Sequence, residues 1–137
     1  MDGYRVVSEV PVRFADTDAL GHVNNANYLS YIETARVDYL ARVLGMGDIK
    51  SFDVILARAE VDYKSPAFVG ETLLVGCRVE TVRGSSIRMD YRVEDKKTGR
   101  LVAEAKSVLV AYDYALGKVK RLDEMRRSKM EEFDGIA

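Results

Sequence analysis

Strict alternation of apolar and polar residues, interrupted once by a helical pattern, limits most strongly how this chain folds. The clearest alternation runs over residues 87–94, which read Ile87, Arg88, Met89, Asp90, Tyr91, Arg92, Val93 and Glu94. Side chains two residues apart share one face of a strand, so this segment predicts a strand with one buried face. The same pattern predicts strands at residues 4–14, 57–63, 73–79 and 101–112. In the first two, the predicted core positions include Phe14, Ala57, Ala59, Val61 and Tyr63.

One segment replaces the alternation by a helical period. Apolar residues recur at spacings of three and four up to about Leu44, at Leu29, Ile32, Ala35, Tyr39, Leu40, Val43 and Leu44. Asn24 or Asn25 is suited to cap the start of this helix, and Gly45 is suited to end it in a left-handed conformation. Residues 122–133 repeat the helical spacing and predict a short C-terminal helix. Residues 45–53 contain two glycines and are candidates to shape a pocket.

Short turns between the later strands favour an antiparallel sheet. Gly84 and Gly99 lie in two of these turns, and Gly99 is expected to supply a positive φ. We therefore expect a single α+β domain over residues 1–137, in which an antiparallel sheet of about five strands wraps around one long helix, plus a C-terminal helix. One helix leaves an edge and a face of such a sheet uncovered, which predicts a homodimer or a homotetramer.

Composition and charge exclude several classes of function. The formal net charge is −1 and no block of like charge is present, so nucleic-acid binding has no electrostatic support. No segment reaches the roughly 18–20 apolar residues of a membrane span, and the N-terminal residues lack the pattern of a secretory signal. The single cysteine, Cys77, is expected in the core, and a chain without a possible internal disulfide fits the reducing cytoplasm.

Candidate chemistry is concentrated in the polar segment 15–27, between the first strand and the helix. It contains two carboxylates, the only histidine and three asparagines: Asp16, Asp18, His22, Asn24, Asn25 and Asn27. A helix start offers unpaired N–H groups and the positive end of the helix dipole. A carboxylate just ahead of it can act on a carbonyl whose oxygen points at those N–H groups, which stabilises a developing oxyanion.

The same segment resembles the signature of a known family. An aromatic residue, Asp-x-Asp, Gly, Val and then Asn-Tyr occur here as Phe14, Asp16, Asp18, Gly21, Val23, Asn27 and Tyr28. This pattern resembles the hot-dog-fold thioesterases of the 4-hydroxybenzoyl-CoA thioesterase type. Asp62-Tyr63-Lys64-Ser65-Pro66-Ala67, followed by Gly70-Glu71, resembles the second recurring stretch of that family. The resemblance spans residues 4–114 and implies a hot-dog fold that hydrolyses an acyl thioester without a cofactor.

The resemblance also implies roles for individual residues. Asp18 is the catalytic carboxylate, either attacking the thioester carbonyl or acting as base for a water molecule. The backbone N–H near Asn25 faces the thioester oxygen. His22 assists catalysis in the acyl-carrier-protein branch, which the Gly-His-Val-Asn-Asn wording resembles, although Leu20 replaces that branch's asparagine. The substrate-binding positions are Gly21, Val23, Asn24, Tyr28, Glu60, Asp62 and Lys64, with residues 60–65 reaching the site from a partner chain.

Several of these residues also have purely structural interpretations. Asp16 is expected to orient the loop, because Asp side chains readily bind nearby backbone N–H groups. Glu33 and Arg36 are expected on the polar side of the helix, either solvated or paired at an interface. One histidine without cysteines or clustered acids does not predict a metal site.

Three functions compete for this sequence. Hydrolysis of acyl-CoA is the leading hypothesis, with acyl-carrier-protein thioesters as an alternative substrate. A non-catalytic module that binds acyl-CoA has no need of an acid at the helix start, yet Asp18 is there. A hot-dog dehydratase generally pairs a histidine with an acid in a different motif.

Overall fold

The computed structural model of the protein describes residues 1–48 and 51–136. Two residues of the segment 45–53, at positions 49 and 50, therefore lie outside the described part. The elements are β1 (Val6–Pro11), a 3-10 turn (Phe14–Asp16), α1 (Asn27–Leu44), β2 (Val54–Tyr63), β3 (Thr72–Arg83), β4 (Ser86–Asp95), β5 (Leu101–Asp113), β6 (Lys118–Val119) and α2 (Glu124–Asp134).

Five antiparallel strands form the sheet in the order β1-β3-β4-β5-β2, and the two-residue β6 pairs with the end of β5. The predicted α+β fold with about five strands, one long helix and a C-terminal helix is confirmed. Because β1 and β2 are edge strands, Pro11 at the end of β1 removes no hydrogen bond from the centre of the sheet.

Helix α1 packs on one face of the sheet, against β1 and β3, and this face is called the inner face below. Tyr28, Ile32, Ala35, Tyr39 and Leu40 are buried on the helix side that meets the sheet. Gly45 ends the helix at φ 69°, as predicted, and its N–H donates to the Ala41 carbonyl.

The C-terminal helix α2 closes one end of the core. Met130 is fully buried, and the Asp134 carboxylate accepts from the Tyr39 hydroxyl (2.5 Å) and from the Val79 N–H (2.9 Å). Cys77 is buried in the core as predicted, and burial raises the pKa of its thiol. These contacts join the last element of the chain to its longest helix and to a central strand.

Strand β2 differs from its prediction because most of its apolar positions are not in the core. Of the four predicted core positions of this strand, only Val61 is partly buried and packs against the core. Residues 55–60 are all exposed, including Ala57 and Ala59, and Tyr63 is 47% exposed. The register explains this exposure, since β2 pairs only with β5 and lies at the edge farthest from β1 and β3, which α1 covers. Phe14 was also wrongly predicted to be buried, because the first strand ends at Pro11 and Phe14 begins the 3-10 turn, 83% exposed.

Arg36 was expected on the polar side of α1 and is instead buried. It lies in the same row as Ile32 and Leu40, one helical turn away from each, so it faces the sheet. Its Nε donates to the Tyr91 hydroxyl (3.2 Å), which shares a hydrogen bond with Ser107 Oγ (2.6 Å). Hydrogen bonding offsets part of the cost of burying the charge, and Glu33 remains exposed as expected.

Candidate active site

The segment between β1 and α1 is held in place by Asp16, the first carboxylate of the motif. The Asp16 side chain accepts from the Arg13 N–H (3.0 Å), the Arg13 guanidinium (2.8 Å) and the Tyr31 hydroxyl (2.8 Å). Its carbonyl accepts from the Asn24 N–H and from the Asn27 side-chain amide. The bonds from Arg13 hold the pKa of this carboxyl below its ordinary value. Asp16 therefore has the orienting role that the sequence predicted.

A small hairpin places Asp18 beside His22. Thr17 and Val23 form a bridge across it, and the Asp18 N–H donates to the His22 carbonyl (2.9 Å). One carboxylate oxygen of Asp18 accepts from the Leu20 N–H (2.8 Å), and the other lies 3.5 Å from His22 Nδ1. Both side chains are only partly exposed. The Asp18 carboxylate is thus partly exposed beside His22, whereas the Asp16 carboxylate is buried.

A cleft of about 500 Å³ opens beside this hairpin, lined by His22, Val23, Asn25, Tyr28, Tyr63, Lys64, Ser65 and Pro66. Five of the predicted site residues therefore meet around one cleft: His22, Val23, Asn25, Tyr28 and Lys64. Asp18 is not among the lining residues, but its carboxylate lies 3.5 Å from Nδ1 of His22, which is.

Asn25, which lines this cleft, has a free backbone donor. The Asn24 carbonyl accepts from the Asn27 N–H (2.9 Å), and the Asn24 side chain accepts from the Ala26 N–H (3.0 Å). Within residues 1–48 and 51–136 the Asn25 N–H has no hydrogen-bond partner. The donor lies two residues ahead of α1, near the positive end of the helix dipole.

Asn24 and Gly21 support the loop rather than line the cleft. Asn24 does not act as the N-cap of α1, because Ala26 holds that position without a side-chain bond. The Asn24 side chain instead accepts from the Ala26 N–H in the turn just before the helix. Gly21 has φ 89° and donates its N–H to the Asp18 carbonyl (3.1 Å). A positive φ of this size favours glycine, so the tight turn between Asp18 and His22 depends on it.

Glu60 and Asp62 lie on the outer face of the sheet, away from α1. Their register partners on β5 are Lys106 and Glu104, which share the outer face because the intervening Ala105 is buried inside. A second cleft on that face contains both acids together with Arg78 and Arg92. Within one chain these two predicted site residues are therefore not brought to the cleft that holds His22 and Asn25.

Tyr63, at the end of β2, lines the cleft of its own chain, whereas the sequence placed residues 60–65 at the site of a partner chain and gave Tyr63 no individual role. Its hydroxyl donates to the Asn25 carbonyl (3.0 Å), and its ring packs edge-on against Tyr28 with centroids 5.3 Å apart. Its position in the Asp62-Tyr63-Lys64-Ser65-Pro66-Ala67 stretch was the available signal. It was assigned to the core face because it continues the apolar alternation of its strand.

The described residues meet the requirements of neither a metal site nor a membrane-spanning helix. Across 1–48 and 51–136, no three His, Cys, Asp or Glu side chains converge to form a potential metal site. In the same residues, no helix has the length and apolar character required to cross a membrane.

Several known proteins with similar sequences are named as acyl-CoA thioesterases or hydrolases. The long-chain acyl-CoA thioesterase FadM of Escherichia coli K12 is 25% identical over 128 residues, covering 92% of this chain and 97% of that protein. The 1,4-dihydroxy-2-naphthoyl-CoA hydrolase of Synechococcus elongatus is 34% identical over 90 residues, covering 60% of this chain and 64% of that protein.

Solved structures agree with the sequence matches. A thioesterase from Thermus thermophilus, crystallised with coenzyme A and Zn, has a TM-score of 0.89 and 36% identity, and each chain covers 100% of the other. Slr0204, a 1,4-dihydroxy-2-naphthoyl-CoA thioesterase from Synechocystis, has a TM-score of 0.82 at 23% identity and supports the fold alone. The predictions of a hot-dog fold and of a thioester hydrolase are thus confirmed at the level of the family. Residues 12–130 match the family described as the thioesterase-like superfamily, and the chain belongs to that family.

Proposed function

We propose that this protein hydrolyses acyl-CoA thioesters, with Asp18 as the catalytic carboxylate and the Asn25 N–H as the oxyanion donor. The observation that carries the proposal is the unpaired N–H of Asn25, a residue that lines the same cleft as His22. Backbone donors aimed at a developing oxyanion are among the strongest sources of transition-state stabilisation. Asp18 lies beside the same cleft, next to His22.

The proposed reaction begins with the thioester carbonyl oxygen directed at the Asn25 N–H. The Asp18 carboxylate either takes a proton from a water molecule, whose oxygen attacks the carbonyl carbon, or attacks that carbon itself. In both routes the C–S bond breaks and the thiolate of CoA leaves. In the second route water then hydrolyses the resulting anhydride. A single turnover in water labelled with oxygen-18 separates the routes, because only the anhydride route can leave the label in Asp18.

His22 is proposed to orient the Asp18 carboxylate. Its Nδ1 is 3.5 Å from the nearer carboxylate oxygen, which is longer than a strong hydrogen bond, and its ring packs edge-on against Phe68. We expect replacement of His22 by alanine to reduce turnover less than replacement of Asp18.

Lys64 supports CoA as the carrier of the acyl group. Its side chain is exposed at the rim of the cleft, and it forms no ion pair with any described carboxylate. A free ammonium group at this place suits the phosphates of CoA. Lys64→Ala should therefore raise KM for an acyl-CoA and leave KM for the matching acyl-pantetheine unchanged. The Thermus thermophilus thioesterase with bound coenzyme A supports the same choice of carrier.

Strand β2 is the proposed interface for a homodimer, which could associate further into a tetramer. Its outer edge pairs with no other strand among the described residues, and Ile55 and Leu56 are 40% and 46% exposed. An uncovered strand edge with exposed apolar side chains is prone to pair with another chain. In such a dimer, Glu60 and Asp62 would lie near the junction of the two sheets. We further propose that residues 1–137 act as one domain in the cytoplasm.

Release of free thiol from a panel of acyl-CoAs is the experiment that tests this function. Wild type should release thiol, and Asp18→Asn should lose at least about 100-fold in kcat while its melting temperature is retained. Glu132→Gln, which changes an exposed carboxylate on α2, is the matched control and should keep full activity. Binding of acyl-CoA without thiol release would instead support a non-catalytic module. Release from acyl-carrier protein alone would change the proposed carrier.

A further inference from the structure

Two consecutive peptide groups around Asn25 are held by hydrogen bonds at all but one position. In the first group, the Asn24 carbonyl accepts from the Asn27 N–H, and the Asn25 N–H is free. In the second group, the Ala26 N–H donates to the Asn24 side chain and the Asn25 carbonyl accepts from the Tyr63 hydroxyl. The only backbone group left unpaired in this pair is the proposed oxyanion donor.

The bond from Tyr63 is the only one of these that comes from outside the loop. Asn24 and Asn27 belong to the same short segment as Asn25, whereas Tyr63 lies 38 residues away at the end of β2. The buried ring of Tyr28 fixes the Tyr63 ring, since the two pack edge-on with an interplanar angle of 69°. The hydroxyl of Tyr63 is thereby directed at the Asn25 carbonyl.

Building on the proposed function, we infer that Tyr63 is a positioning residue that sets the orientation of the Asn25 N–H through the Asn25 carbonyl. Without the hydroxyl, the peptide group between Asn25 and Ala26 loses its external restraint. The adjoining peptide group, which carries the Asn25 N–H, is then held only by the bond from the Asn27 N–H to the Asn24 carbonyl, and its alignment with the thioester oxygen is less closely fixed. Small misplacement of a catalytic group is costly, because transition-state stabilisation depends strongly on alignment. Tyr63 also belongs to the edge strand, so the placement of β2 is coupled to the donor.

Tyr63→Phe removes only the hydroxyl, and the chain offers a matched control at the other end of the same strand. The Tyr114 hydroxyl donates to the carbonyl of Val54, the first residue of β2, at 2.8 Å. Tyr114→Phe therefore removes a hydrogen bond of the same kind from the same strand, far from the cleft. Both variants should show similar, small shifts of the urea midpoint.

Steady-state kinetics with an acyl-CoA that wild type hydrolyses give the first measurement. Tyr63→Phe should lower kcat on the order of 10-fold with little change in KM and an unchanged pH profile, and Tyr114→Phe should match wild type. A kcat within twofold of wild type for Tyr63→Phe, an equal loss in Tyr114→Phe, or a rise in KM alone would overturn the inference.

Amide exchange of Ala26, followed by NMR, tests the same restraint without any turnover. We expect Tyr63→Phe to raise the exchange rate of the Ala26 N–H by about 10-fold, because its peptide group is then held at one end only. Tyr114→Phe should leave that rate unchanged. Equal exchange rates in wild type and Tyr63→Phe would contradict the positioning role. A wild type that releases no thiol would contradict the proposed function, while the exchange measurement would still decide the inference.

Discussion

The loop over residues 13–27 and strand β2 differ in how far their polar groups are buried and hydrogen-bonded within the chain. The loop contains little regular structure, yet Asp16 is only 3% exposed and bonds to Arg13, Tyr31, Asn24 and Asn27. Strand β2 extends over ten residues with one break in register between Leu56 and Arg58, yet most of it is exposed and its outer edge pairs with no other described strand. Regular secondary structure and tight tertiary restraint are therefore separate properties in this molecule.

This contrast shows where each region obtains its order. The polar groups of the loop are hydrogen-bonded within the chain, because its carbonyl and carboxylate oxygens accept from donors on α1 and in the loop itself. The strand pairs within the chain along one edge only, through β5, and its other edge is the one that we propose pairs with a second chain. Tyr63 joins the two regions, since it ends the strand and bonds to the loop.

Removing the Asp16 carboxylate should have the largest effect on this comparison. Asp16→Ala is expected to lower the free energy of unfolding by about 3 kcal/mol, because it leaves the buried Tyr31 hydroxyl and the Arg13 N–H without their acceptor. Asp18→Ala, in the same loop, loses one backbone bond to Leu20 and should cost less than about 1 kcal/mol. Urea unfolding of both variants measures the difference. Equal losses would mean that Asp16 does not brace the loop.

A charge on the exposed edge strand should act on association instead of folding. Leu56→Glu places a carboxylate at the proposed interface and is expected to weaken self-association by about 100-fold, or about 3 kcal/mol. Met125→Glu changes a residue of α2 that is 64% exposed and serves as the control. Sedimentation velocity over a range of protein concentrations gives both association constants. Unchanged association in Leu56→Glu would place the interface elsewhere.

The hydrogen bond from Tyr31, on α1, to Asp16 should contribute less to the free energy of unfolding than all the bonds of Asp16 together. Tyr31→Phe removes the hydroxyl donor and leaves Asp16 with its two kinds of bond from Arg13, so we expect a loss of about 1 kcal/mol. Urea unfolding against wild type measures it. A loss as large as that of Asp16→Ala would assign the bracing to Tyr31 and not to the network.

The finest expected effect is a change in the pH dependence of stability. The pKa of Asp16 is lowered in the folded state, chiefly by the bonds from Arg13, so its ionised form stabilises the protein above the ordinary pKa of about 4. This contribution is lost as the pH falls through the lowered value. Unfolding free energies measured from about pH 6 to pH 3 should therefore fall more steeply in wild type than in Asp16→Asn. Parallel curves would show that Asp16 is not the titrating group.

Much of the fold followed from local pattern. Alternation located all five long strands, and the three-four spacing ended α1 at Leu44, because backbone periodicity fixes which side chains can share a face. The motif around Asp18 predicted that the candidate chemistry lies in the loop that borders the cleft. Local pattern failed where burial depends on distant elements: Arg36 was expected on the polar side of α1 and is buried against Tyr91, and Ala59 was expected in the core and is exposed.

The sequence by itself determined the type and order of the five long strands and the two helices, and the loop that carries the candidate chemistry, since these depend on periodicity, turn residues and residue type. Only the tertiary structure decided that Ala57 and Ala59 are exposed at the sheet edge while Tyr63 meets Asn25. The physical reason is that strand order and register determine which faces meet across long stretches of chain. No local pattern in the sequence of β2 indicates that its neighbour is β5, or that the side chain of its last residue, Tyr63, bonds to the loop just before α1.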